Sequence, residues 1–119
     1  MKKLVLFFVL AISVFYGISV VSAATCDHTE VKKIIHGPVG PGDYNDVCIK
    51  SNSVGVKAFG TTYIENSVIE AQTCVEYDSF SALIVNNNML DCNTGIWFVY
   101  GKKGNYYINN NLYTGDPEN

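Results

Sequence analysis

The chain has 119 residues, 8 lysines and no arginine against 11 acidic residues, four cysteines and a formal charge of −3. That length holds one small domain. The missing basic patch speaks against nucleic acid or an anionic membrane surface as partner, because both are held by neutralising phosphates. No Gly-rich phosphate loop, EF-hand, nucleotide fingerprint or G-x-S-x-G elbow is present, so the sequence carries no sign of cofactor or serine-hydrolase chemistry.

In chain order, Lys2 and Lys3, the apolar run from Leu4 to Ile12 and on to Val21, and the small-residue site Val21-Ser22-Ala23 read as a signal peptide over residues 1–23, cut after Ala23 or Ala24. A retained anchor is the competing reading, since residues 4–24 are just long enough to span a bilayer. The cleavage site and the lack of a second apolar run favour cleavage, no retained span and a secreted, periplasmic or extracellular location. Cleavage leaves 6 lysines against 11 acidic groups, a charge of −5. Cys26, Cys48, Cys74 and Cys92 all lie beyond the cut. Their even number and unclustered spacing favour disulfides over zinc or free thiols.

Residues 24–42 read as a small N-terminal cap. Thr25 to Lys33 is polar and mildly helical in propensity, and the Gly/Pro run from His36 to Gly42 is a loop, not a central strand. His28 and His36 sit beside no nucleophile and read as ordinary loop histidines.

From Asp43 to Asn119 the sequence echoes itself. Ile64-Glu65-Asn66-Ser67-Val68, Val85-Asn86-Asn87-Asn88-Met89 and Ile108-Asn109-Asn110-Asn111-Leu112 share one pattern, and Asn45-Asp46-Val47-Cys48-Ile49 is a degenerate copy. Val54, Val75 and Ile96 are spaced by 21, as are Val56, Tyr77 and Phe98. The loop Gly101-Lys102-Lys103-Gly104 adds two residues, so the last spacing is 23. Short period-2 segments repeating at this length predict a parallel coil of stacked rungs. Leucine-rich and helical repeats lack the required patterns here. The expected fold is all-β: a short, single-stranded, right-handed parallel β-helix of about four rungs with a 21–23-residue repeat. Gly115 to Asn119 reads as a frayed tail or a truncation, and the open last rung as a surface for self-association.

Stacking at this register places Asn66, Asn87 and Asn110 in an amide ladder; the alternative is that they are turn formers in an ordinary antiparallel sheet. It sets Lys57 over Asp78 as an outward ion pair and brings no two carboxylates to one position on successive rungs. Cys74 falls level with Gly95, three residues from Cys92, which allows a Cys74–Cys92 bridge and leaves Cys26–Cys48 to tie the cap to the first rung. The phase that buries Ile96 and Phe98 turns Trp97 outward. With Glu76 one rung earlier and Tyr100, Tyr106 and Tyr107 nearby, Trp97 either forms an aromatic platform for a sugar ring or packs beneath the Gly101–Gly104 loop.

The segments Ile84-Val85-Asn86-Asn87-Asn88-Met89-Leu90, Asn93-Thr94-Gly95-Ile96 and Tyr107-Ile108-Asn109-Asn110-Asn111-Leu112 make residues 43–114 similar to the right-handed parallel β-helix superfamily of pectate lyases, polygalacturonases and NosD-like and carbohydrate-binding repeat proteins. The resemblance implies an architecture more than an activity. The hydrolases of that group need paired acidic residues, where Asn45-Asp46-Val47 offers one Asp, and a Gly-His-Gly and Arg-Ile-Lys that are missing. Its lyases use calcium with an Arg or Lys base; here Lys50, Lys57, Lys102 and Lys103 exist, with Asp43, Asp46, Asp78 and Asp91 as oxygen donors. The expected function is a secreted, non-catalytic structural or carbohydrate-binding module without cofactor, binding a polysaccharide or cell surface through Trp97, Glu76, Tyr100 and Tyr106. A calcium-dependent, pectate-like lyase, or a remnant of one, is the alternative.

Overall fold

A computed structural model describes Cys26 and residues 33–119; the segment read as a signal peptide, residues 1–23, and most of the polar stretch Thr25 to Lys33 lie outside the described residues. Among the described residues no helix is long and apolar enough to cross a membrane.

The coil has three faces and, as the repeat requires, every strand pair is parallel. Face one stacks β2 (Asp43–Asn45), β5 (Thr62–Glu65), β7 (Ala82–Asn86) and β9 (Asn105–Asn109). Face two stacks β1 (Lys33–His36), β3 (Val47–Lys50), the first halves of β6 (Val68–Tyr77) and β8 (Met89–Phe98), and β10 (Leu112–Tyr113). Face three carries β4 (Val54–Ala58), the second halves of β6 and β8, and β11 (Asp116–Glu118). This is a right-handed parallel β-solenoid of about four turns.

The register follows the repeat with local corrections. Rungs two and three pair at 21, as in Tyr63↔Ile84, Val68↔Met89 and Val75↔Ile96. Across the Gly101 loop Ala82 pairs with Asn105 and Met89 with Leu112, a step of 23. The first rung is shorter: Asp43 pairs with Tyr63, and Val56 with Val75 instead of Tyr77. The two-residue slip on face three keeps the same side chains inward, so the apolar pattern alone does not detect it. Lys57 consequently lies level with Glu76, not Asp78. Asp78 instead caps the next turn, accepting the N–H groups of Phe80 at 2.9 Å and Ser81 at 3.1 Å.

Two end segments are more ordered than their composition suggests. Gly115 to Asn119 is no frayed tail: β11 pairs with β8, Asn119 N–H donates to Ile96 C=O at 2.9 Å, and Lys102 meets Glu118 at 3.3 Å. At the other end β1 is a strand on β3, and Val39 bridges Val56, so this part of the cap is a partial rung.

The interior is a continuous stack. Ile64 lies beneath Val85, Ile69 beneath Leu90, Val75 beneath Ile96 and Tyr77 beneath Phe98, all buried. Burying side chains of this size contributes about 1.5–3 kcal/mol each. Cys74 and Cys92 are bonded inside the coil with Cα atoms 5.7 Å apart, linking rungs two and three. Cys26 and Cys48, 5.6 Å apart, are bonded outside it and pack with Val68 and Met89 on the outward side of face two. The Cys26 N–H also donates to the Glu70 carboxylate at 3.2 Å.

Candidate functional site

The corner between faces one and two is built by amides. At each turn one residue adopts a left-handed backbone: Asp46, Asn66, Asn87 and Asn110, with φ between 53° and 59°. Asn and Asp tolerate this region because their short polar side chains bond locally. The Asn66 amide donates to Asn45 Oδ1 at 3.0 Å, and Asn87 donates to Asn66 Oδ1 at 2.7 Å. Asn66 and Asn87 therefore fill both the expected ladder role and the turn role; the ladder bonds run on to Asn45, and Asn110 shares the left-handed turn.

One position further on runs a second ladder that the repeat comparison missed. Val47 N–H donates to Ser67 Oγ at 3.2 Å, Ser67 N–H to Asn88 Oδ1 at 2.9 Å, and Asn88 N–H to Asn111 Oδ1 at 3.0 Å. Asn88 and Asn111 return their amide protons to Ile64 C=O and Val85 C=O, each at 2.9 Å. The signal for it lay in the last Asn of each Asn-Asn-Asn triplet, which faces the turn's buried backbone groups and satisfies them.

The corner between faces three and one is of another kind. Its turns hold residues 59–61, 78–81 and 99–104, lengthening rung by rung. Phe59 is exposed, Phe80 is 74% exposed and Tyr100 61%, and the rings of Phe80 and Tyr100 lie 5.6 Å apart. The Asp78 cap and the Ser79 hydroxyl, which donates to Gly101 C=O at 2.8 Å, hold this turn in place. Beneath it the buried Tyr77 hydroxyl donates to Ser81 C=O and accepts the Asn105 N–H at 3.2 Å. Burial pushes its pKa above that of an ordinary tyrosine, with the Asn105 contact opposing. A Cβ on Gly104, at φ 115°, would lie 2.5 Å from the Tyr77 hydroxyl oxygen.

Aromatic side chains also flank this corner on both faces. On face three Trp97 is 42% exposed and in register with Glu76, which is in register with Lys57. On face one the outward column is Asp43, Tyr63, Ile84 and Tyr107. Tyr63 and Tyr107 are exposed and border a recess of about 260 Å³, floored by Ile84 and reaching Ala82 and Asn105. A polar column, Asn45, Glu65, Asn86 and Asn109, runs beside it, and Asn109 Nδ2 donates to the Tyr107 hydroxyl at 2.9 Å.

Of the residues singled out for ligand binding, Trp97 and Glu76 are neighbours across one rung, and Tyr100 joins Phe80 at the corner. Tyr106 departs from this group: its ring packs 5.0 Å from Phe98 and 6.1 Å from Tyr77. It closes the interior at the last rung.

Face two carries a second, charged group that the sequence reading excluded. Glu70 and Asp91 do occupy one position on successive rungs, in a column with His36 and Lys50. His36, Lys50, Glu70 and Gln72 line an open groove of about 760 Å³. Both carboxylates already accept hydrogen bonds, Glu70 from Cys26 N–H and Asp91 from the Thr114 hydroxyl at 2.9 Å. Among the described residues the one cluster of three His, Cys, Asp or Glu donors is Cys26, Cys48 and Glu70, and its sulfurs are spent in a disulfide. That cluster, with two bonded sulfurs and one carboxylate, is not the oxygen-rich set that calcium requires. Comparison with protein-family models, curated proteins and solved structures finds no match, so the fold stands on the geometry alone.

Proposed function

We propose that this chain is an exported, non-catalytic β-solenoid module that binds carbohydrate through the aromatic side chains around the corner of faces three and one. The observation that carries the reading is distribution. All seven exposed aromatics of the described residues lie at this corner, on the strands flanking it or over the last rung beside it, whereas the exposed large aliphatics Ile34 and Leu112 lie on face two. Flat strands that present rings beside amides and carboxylates match a sugar, which offers an apolar ring face edged by hydroxyl groups. Trp97 with Glu76 is one such pair. The test is a panel of neutral, amino and acidic polysaccharides assayed for binding. Weaker binding by a Trp97→Ala, Tyr63→Ala or Tyr107→Ala variant supports the reading, and no binding to any glycan defeats it.

The lyase alternative draws on the Glu70 and Asp91 column beside Lys50 and His36. It requires calcium-dependent formation of unsaturated uronide absorbance that is lost on Lys50→Ala. Binding without such absorbance favours the non-catalytic module.

A further inference from the structure

The outward side of face one has three properties that together narrow the ligand. First, Tyr63 and Tyr107 occupy one column two rungs apart with Ile84 between them. Two inter-strand spacings of about 4.8 Å put the tyrosines roughly 10 Å apart along the coil axis. That is close to the repeat of two sugars in an extended, equatorially linked chain. Second, the space between them is a recess and not a filled surface, with Ile84 as its floor. Third, the charge on this side is of one sign. The two outward columns contain Asp43 and Glu65, three asparagines and no lysine or histidine. Lys57 is on face three, Lys102 is engaged by Glu118, and Lys103 is in the turn before β9, outside both columns.

We infer that face one binds a linear neutral or amino-sugar glycan laid parallel to the coil axis, with alternate rings stacked on Tyr63 and Tyr107 and the intervening ring over Ile84. This inference rests on the carbohydrate reading above and adds the face, the direction and the sugar class. The Asn109 amide lies beside the chain, where hydroxyl groups project from ring edges, and already orients the Tyr107 hydroxyl. Asp43 and Glu65 select against uronates, since a carboxylate brought near two others is repelled in the partly desolvated contact. Three consecutive sugars fill the column, so affinity rises steeply up to a trisaccharide and levels off beyond it.

The test is calorimetric titration of the full chain with cellohexaose, chitosan hexaose and hexagalacturonate, and with the shorter members of whichever series binds. The expected result is neutral or amino-sugar binding at least about tenfold tighter than uronate binding. Tyr63→Ala and Tyr107→Ala should each weaken it about tenfold, the scale of one aromatic stacking contact, while Ile34→Ala on face two leaves it within about twofold. Asp43→Asn with Glu65→Gln should narrow the gap by strengthening hexagalacturonate binding. Both tyrosines are exposed, so their loss leaves the fold intact, and unchanged thermal unfolding serves as the control. Binding lost with Trp97→Ala and kept in both tyrosine variants overturns the face-one assignment but leaves a carbohydrate module. Preference for hexagalacturonate overturns the sugar class, and silence toward all three ligands overturns both readings.

Discussion

The two corners that flank face one divide the labour of the chain. Where face one meets face two, the turn is one or two residues long in every rung, its first residue is left-handed, and amides tie each rung to the next. Where face three meets face one, turn length grows from three residues to six and the rings project outward. A repeat needs only one corner to fix its register. The other is then free to vary, and solenoid insertions and binding groups collect on such an edge.

The sharpest way to break this contrast is to lengthen each corner in turn. One residue inserted between Asn87 and Asn88 reverses the alternation downstream and is expected to abolish cooperative unfolding, as followed by circular dichroism. One glycine inserted between Lys102 and Lys103 should cost well under about 1 kcal/mol, because loop entropy rises slowly with length. Next in size is Asn88→Ala, which orphans the Ser67 N–H and Ile64 C=O and should cost about 3 kcal/mol in denaturant unfolding. Asn87→Ala, in the exposed ladder, should cost about 1–2 kcal/mol for forcing alanine into a left-handed backbone, and Asn87→Gly should recover most of that. Phe80→Ser at the variable corner should change stability by less than about 0.5 kcal/mol.

Alkaline titration separates the inside of the variable corner from its outside. Tyr77 and Tyr44 both have pKa values raised by burial. A raised folded-state value means that the folded chain holds protons the unfolded chain releases. Stability is therefore full below about pH 10, the unfolded tyrosine value, and falls as the pH rises through the folded values. Unfolding midpoints measured across that range should decline less steeply in Tyr77→Phe than in the parent chain.

The parallel coil, its rung count and the 21- and 23-residue steps were legible because Val75, Ile96, Tyr77 and Phe98 repeat at the spacing at which they stack. The short first rung was not. Sliding β4 by two residues leaves Val54, Val56 and Ala58 with unchanged orientation, so the Lys57–Asp78 pairing was drawn from a register that hydrophobicity cannot distinguish. The β11 strand was hidden because Pro117 and two acidic residues depress strand propensity, while backbone bonds to β8 outweigh it at an edge. Trp97 and Glu76 could be placed outward from alternation alone. Tyr106 could not, since its inward role depends on the end of the stack being covered by a ring.

The most direct measurement of the division between corners is backbone and side-chain amide shift mapping by NMR during titration with a neutral or amino-sugar hexasaccharide. Perturbations should fall on Tyr63, Ile84, Tyr107 and Asn109, with the ladder amides of Asn66 and Asn88 unmoved. Perturbations centred on those ladder amides, or on His36, Lys50 and Glu70 in the face-two groove, would contradict it.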